Sequence, residues 1–221
     1  MMKALIFDLD GTLIDTVYAH VLAWQKSFAV LEHLAVPAWR LHQKIGLDGK
    51  LLAISTGAEL GRKIGWKKAE RLDLKHGEIM KEILPHIAGL PGGVELLAEL
   101  RNRKIPHGIA TSGTRDGLKN PIKILQIPKD IIVVCADDVE DAKPEPDLFV
   151  LCSQRLGIPP RDCFAVGDSV WDMLAAKRAG MLSIGFETGG ITERILAQAG
   201  AYRVYRDPSD LKQKLFELGM Q

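Results

Sequence analysis

The stretch Lys3-Ala4-Leu5-Ile6-Phe7-Asp8-Leu9-Asp10-Gly11-Thr12 decides how the chain folds. Ala4 to Phe7 is apolar without interruption. A run this short with no polar alternation predicts a strand buried on both faces, as parallel strands between helical layers are. The run stops at two carboxylates and a glycine turn, so the carboxyl end of this strand carries charge. Similar strands are predicted at His107 to Thr111, Ile131 to Cys135, Cys163 to Val166 and Met181 to Phe186. Helical patterns fall between them, at Val94 to Arg103, Arg115 to Gln126, Asp147 to Leu156 and Val170 to Ala179. Strands alternating with helices imply βαβ units, hence an α/β, Rossmann-like three-layer core with a parallel sheet. Pro106, Pro128, Pro159 and Pro160 lie between elements, where a missing N–H is harmless.

Between Thr16 and Ile87 this rhythm breaks. Apolar residues there recur at helical spacing (Val17, Val21, Trp24, Phe28; Leu51, Leu52, Ile54; Ile79, Ile83), and Gly46, Gly49, Gly57, Gly61 and Gly65 divide the segment into short helices. The expected organisation is a core of residues 1–15 and 88–221 with an inserted α-helical domain at 16–87. The hinges fall near Asp15-Thr16 and Ala88-Gly89-Leu90-Pro91.

Composition narrows the function. The chain has 221 residues, 29 Lys plus Arg against 28 Asp plus Glu, and a formal net charge of +1. Near-neutrality speaks against a general nucleic-acid or membrane-surface binder, which needs a basic excess. The balance is uneven, however: residues 16–87 carry 11 Lys plus Arg against 7 Asp plus Glu, and the rest carries 18 against 21. A basic insert beside an acidic core suits a small anionic substrate. Cys135, Cys152 and Cys163 are too few and too irregular for a disulfide framework and read as buried thiols. No apolar run approaches the roughly 20 residues of a membrane span. Asp8 and Asp10 follow Met1 too closely for a signal peptide, so a cytoplasmic location is expected.

Ligands of open parallel sheets bind at the carboxyl ends of the strands. Asp8 and Asp10 follow the first strand and Thr111-Ser112-Gly113 the second. Lys143 comes shortly after the third, within Lys143-Pro144-Glu145-Pro146-Asp147. Gly167-Asp168-Ser169 follows the fourth, with Asp172 one helical turn on. A single aspartate after a strand is usually a helix cap. Four carboxylates, a hydroxyl and a lysine directed at one crevice are not explained by capping, because unpaired carboxylates repel. A cation relieves that repulsion, and hard oxygen donors without nearby His or Cys favour Mg²⁺.

These segments, Asp8-Leu9-Asp10-Gly11-Thr12, Ala110-Thr111-Ser112-Gly113, Lys143-Pro144-Glu145-Pro146-Asp147 and Gly167-Asp168-Ser169-Val170-Trp171-Asp172, resemble the four ordered motifs of the haloacid dehalogenase superfamily. The helical insert after the first motif resembles the cap of the subgroup that includes phosphoglycolate phosphatase and β-phosphoglucomutase. The resemblance implies a sheet order of 5-4-1-2-3 and Mg²⁺-dependent hydrolysis of a small phosphorylated metabolite through an aspartyl-phosphate. Asp8 would be the nucleophile and Asp10 the general acid and base. Thr111, with the N–H groups of Ser112 and Gly113, would hold the phosphoryl group, and Lys143 would neutralise charge. Asp8, Asp10 (through its carbonyl) and Asp168 would hold the metal, with Asp172 in support. Such a family member is expected to be a monomer or homodimer.

The electrostatics explain the need for this set. A carboxylate about 4 Å from a dianionic phosphate meets roughly 8 kcal/mol of repulsion at an effective dielectric near 20. Mg²⁺ and Lys143 together offset it. Within the superfamily, dehalogenases and phosphonate-cleaving members lack an acid at the Asp10 position, so Asp10 favours phosphate-ester chemistry. A phosphosugar mutase of the β-phosphoglucomutase type keeps that acid and is the alternative; a catalytically inactive binding relative is a further one. In the insert, the polar turn His42 to Lys50 resembles a specificity loop and offers Lys44 and Lys50 as substrate contacts. Arg115, after the Thr111 loop, is a third candidate. Thr188-Gly189-Gly190 reads as a turn, and the acidic run Asp137 to Asp141 as a mobile solvated loop leading to Lys143.

Overall fold

The computed structural model describes residues 3–220; Met1, Met2 and Gln221 lie outside the described residues, and with them the first two positions of the signal-peptide argument. The chain packs as two compact units, Met1–Asp15 with Ala88–Gln221, and Thr16–Ile87.

In the first unit, β1 (Ala4–Phe7) is buried at every position. It lies between β2 (His107–Ala110) and β4 (Cys163–Gly167), with Leu5 opposite His107 and Phe164. With β3 (Ile132–Val134), β5 (Leu182–Phe186) and β6 (Arg203–Tyr205), the all-parallel sheet runs β3-β2-β1-β4-β5-β6. The expected order 5-4-1-2-3 is present and extended by β6. This edge strand escaped the sequence reading because it has three residues and no apolar run: Arg203 is exposed, and only Tyr205 is buried. Ala4 and Ile6 pack on one layer with Val134, Leu148, Phe149 and Cys152. Burying a side chain such as Phe149, which is 0% exposed, contributes about 2–3 kcal/mol. The three thiols are buried, and burial pushes Cys152 up to about 12 and Cys163 up to about 11, which leaves both inert at neutral pH.

Helices of this unit are α5 (Gly93–Asn102), α6 (Lys119–Ile124), α7 (Asp147–Leu156), α8 (Val170–Arg178), α9 (Glu193–Ala199) and α10 (Pro208–Gln213), numbered after the four helices of the insert. The helix expected from Arg115 is shorter than its apolar pattern. Residues 114–118 form successive tight turns, with Gly117 N–H donating to Thr114 O and Leu118 N–H to Arg115 O. Pro121 lacks an N–H and fits only in a first helical turn, so the helix starts at Lys119.

The second unit is helical: α1 (Val17–Glu32), α2 (Ala38–His42), α3 (Gly49–Glu59) and α4 (Trp66–Ile83). Val17, Val21, Trp24 and Phe28 form the buried stripe of α1 and pack with Leu41, Leu52, Ala69 and Leu72. Of the apolar group Leu51, Leu52 and Ile54 in α3, Leu51 is exposed and Leu52 takes the inward position. Asp48 caps α3 by accepting from the N–H groups of Lys50 and Leu51. Among the described residues of this unit no strand occurs.

The two chain crossings are neighbours. Asp15 N–H donates to Ala88 O at 3.1 Å and Leu90 N–H to Leu13 O at 2.9 Å, with Ile14 bridging Gly89 in antiparallel fashion.

Candidate active site

Asp8 follows β1 directly and is held in line by its N–H on Val166 O, 2.7 Å away. The chain then reverses at Gly11, whose φ of +78° disfavours any side chain; Gly11 N–H closes the turn on Ile14 O at 2.8 Å. The reversal places Asp10 on one side, half-buried, and swings the Thr12 hydroxyl inward to donate to Asp168 Oδ1 at 2.9 Å. Thr111, just past β2, donates to Asp10 Oδ2 over a long 3.5 Å and accepts from Gly113 N–H at 3.0 Å. Gly113 N–H, expected to face a phosphate, is therefore turned onto Thr111.

On the other side of β1, Asp168 follows the end of β4. Ser169 caps α8, accepting from Asp172 N–H, while Asp172 Oδ2 accepts from both the N–H and the hydroxyl of Ser169 at 3.1 and 2.6 Å. This reciprocal cap turns Asp172 Oδ1 toward the strand ends. There Lys143 Nζ lies 2.8 Å from Asp172 Oδ1 and also donates to Asp8 Oδ1. Its charge sits 5.3 Å above the Phe149 ring. Lys143 is 0% exposed.

The charges do not balance within the protein. Asp8, Asp168 and Asp172 are all buried, and each offers an oxygen within 4.8 Å of the other two. One lysine faces three carboxylates. Burial raises Asp8 to about 7, with Lys143 opposing and Asp172 and Asp10 adding to the shift. Burial, Asp172 and Asp8 raise Asp168 well above the carboxylate range. Burial works against the charge of Lys143, but Asp172 and Asp8 outweigh it and hold the ammonium above the usual lysine range. A divalent cation among these oxygens would keep the carboxylates ionised, and a donor set of hard oxygens fits one.

The other candidates have partners of their own. Arg115 pairs with Asp138 at 2.6 Å, and its N–H donates to Asp137 Oδ2 at 2.6 Å. Asp138 also accepts from Cys135 N–H at 3.0 Å and pairs with Arg155 at 3.2 Å. Asp138 is thus held between two arginines distant in sequence, while Asp137, Glu140 and Asp141 are exposed, as expected of a solvated run. Lys44, in the helical unit, is buried and pairs with Glu59 at 2.7 Å. Lys50 lies 3.9 Å from Asp48 and over the Trp66 ring.

Two features of the site carried no weight in the sequence. Thr12 is part of the quoted motif, yet only folding shows its hydroxyl on Asp168. The turn Glu187–Gly189 after β5 reaches the same carboxylate; its paired glycines after a strand were the available signal.

Comparison with known proteins places the chain in a family. Residues 5–186 match the haloacid dehalogenase-like hydrolase family, and the chain belongs to that family. It is 30% identical to a β-phosphoglucomutase of Bacillus subtilis, across 97% of this chain and 93% of that protein. It is likewise 30% identical to hexitol phosphatase A of Escherichia coli, covering 87% of each. A crystal structure of a hydrolase from Pseudomonas syringae superposes with a TM-score of 0.93 at 40% identity, covering 98% of this chain and 99% of that one.

Proposed function

We propose that the protein is a Mg²⁺-dependent phosphatase of small phosphorylated metabolites, working through an aspartyl-phosphate. The observation that carries this is the buried Lys143, which ties Asp8 to Asp172 beside Asp168. A nucleophilic carboxylate is thereby aimed and its approach to a phosphate dianion made tolerable.

Asp8 attacks phosphorus with one carboxylate oxygen; that O–P bond forms as the bond to the ester oxygen breaks. Asp10, next to Thr111, gives the departing oxygen its proton. Water then attacks the aspartyl-phosphate, Asp10 takes a proton from it, and Asp8 leaves as carboxylate with inorganic phosphate. The Thr111 hydroxyl, now on Asp10, transfers its hydrogen bond to a phosphoryl oxygen, with Ser112 and Gly113 lining the same loop. Lys143 stabilises charge on those oxygens throughout. Asp8, Asp168 and the Asp10 carbonyl would hold Mg²⁺, which would supply positive charge to the phosphoryl group. Asp172 acts by fixing Lys143. The helical unit 16–87 serves as the cap that selects the substrate.

Release of phosphate from a generic aryl phosphate with and without Mg²⁺ tests the reading. Mg²⁺-dependent turnover is expected, lost by at least about a thousandfold in Asp8→Asn. No turnover by the wild type, or full activity in that variant, overturns it.

The β-phosphoglucomutase relative, similar over nearly the whole chain, favours a phosphosugar mutase as the second reading. Incubation with β-glucose 1-phosphate, its bisphosphate and Mg²⁺ separates them: free phosphate for the phosphatase, glucose 6-phosphate for the mutase.

A further inference from the structure

We propose that Thr188 and Gly189, in the turn after β5, are positioning residues that set the carboxylate of Asp168 for metal binding. The inference rests on reading Asp168 as a metal ligand.

Gly189 lies against Asp168 so closely that a Cβ built on it would stand 1.9 Å from Asp168 Oδ2 and 2.8 Å from its Cγ. Only glycine lets the backbone approach this carboxylate. On the opposite side Thr12 donates to Asp168 Oδ1 at 2.9 Å. Asp168 is thus gripped between two loops, one after β1 and one after β5.

Those loops are themselves joined. The Thr188 hydroxyl donates to the Gly11 carbonyl, on the residue between Asp10 and Thr12. A closed circuit results, from Asp168 through Thr12 and Gly11 to Thr188 and Gly189 and back to Asp168. The turn is braced from behind: Glu187 accepts from Glu193 N–H at 3.0 Å, and Gly190 turns the chain at a φ of +77°. Groups that orient a ligating carboxylate contribute to affinity without touching the metal. The Thr188 hydroxyl is bonded to the Gly11 carbonyl, so its effect passes through the Gly11 turn and through Gly189. The expected signature is weaker metal binding with the chemical step preserved once metal is saturating.

The test uses the full-length protein, titrated with Mg²⁺ by calorimetry and, in parallel, assayed for aryl phosphate turnover across Mg²⁺ concentrations. Thr188→Val removes the hydroxyl at nearly constant volume. It should weaken Mg²⁺ binding about tenfold and raise the Mg²⁺ needed for half-maximal turnover by a similar factor. Turnover at saturating Mg²⁺ should stay within about twofold of the wild type. Thr188→Ser, which keeps the hydroxyl, should restore binding. Gly189→Ala should lose more than Thr188→Val, and melting in EDTA should show both variants folded. Mg²⁺ binding by Thr188→Val equal to the wild type, or a loss that Thr188→Ser does not restore, overturns the inference and leaves the phosphatase reading intact. A wild type that hydrolyses the ester without binding Mg²⁺ removes both.

Discussion

Lys143 Nζ and Asp172 Oδ1 stand 2.8 Å apart with each side chain only 1% exposed. A buried pair of this kind adds little net stability, because the desolvation of both ions offsets most of their attraction. What it provides is direction. Asp172 is fixed by the Ser169 cap, Lys143 is fixed by Asp172, and Asp8 by Lys143.

Removing the lysine alone should therefore be expensive. Lys143→Met leaves Asp8 and Asp172 buried without their counter-charge, a loss of about 3 kcal/mol. In metal-free buffer at pH 7.5 the melting temperature should fall by about 6–12 °C. Burial already raises Asp8 to about 7, so it takes up a proton as pH falls, and the gap to wild type should narrow at pH 5. Calorimetric melts at the two pH values check this; an equal gap at both would show that charge is not the cause.

Asp10 is assigned to both proton transfers, and the two steps depend on it unequally. An aryl phosphate with an acidic leaving group needs little help in the first step, whereas attack by water needs the base. Asp10→Asn should release a burst of aryl alcohol close to one per enzyme, then turn over about 10²–10⁴-fold more slowly than wild type. Rapid-mixing absorbance reads the burst. Steady turnover without a burst would place Asp10 in the first step alone.

Asp138 makes stability depend on pH at the acid end. Burial alone would raise it, but Cys135 N–H and Arg155 outweigh that and hold it down to about 2. A depressed carboxyl stabilises the fold above its unfolded pKa, and that stability is lost as pH falls from about 4 to 2. Solvent screening around the two arginines reduces the contribution to about 1 kcal/mol. Asp138→Asn should thus melt about 2–4 °C below wild type at pH 7, with the difference vanishing near pH 2.

Asp73, in α4, has the opposite sign. Burial and the neighbouring Asp48 raise it to about 6, with Lys50 and His20 opposing. A raised carboxyl favours the folded state at low pH and costs stability as pH rises from about 4 through 6. Its carboxylate also lies beside Gly49 in the first turn of α3, where the helix dipole recovers part of that cost. Asp73→Asn should stabilise by about 1 kcal/mol at pH 8 and by nothing at pH 4, read from thermal melts.

The parts legible in the sequence are those where one residue type at one strand end suffices. Ala4 to Phe7 announced the central strand, and Asp8, Thr111, Lys143 and Asp168 each stood at or near a strand end. What stayed hidden needed two distant segments at once. Arg115 reads as a phosphate candidate, and only folding shows Asp138 beside it. Lys44 reads as a substrate candidate, and its partner Glu59 stands at the end of α3, fifteen residues on. Gly189 read as a turn because a close approach between β4 and β5 leaves no mark on either strand. The edge strand β6 was missed for a simpler reason: a half-covered edge does not require an apolar run.

The paired crossings at Asp15–Ala88 and Leu13–Leu90 bear on how the chain reaches this state. β1 must find β2 across the whole length of the insert, a search that would make folding slow for an unstructured connection. Once the helices of residues 16–87 have formed their own core, only the ends of the insert need to meet. Loop-closure entropy grows slowly with length, but a folded insert reduces the free loop to the few residues at its rim. With the insert folded, pairing β1 with β2 closes a loop of a few residues rather than of more than seventy.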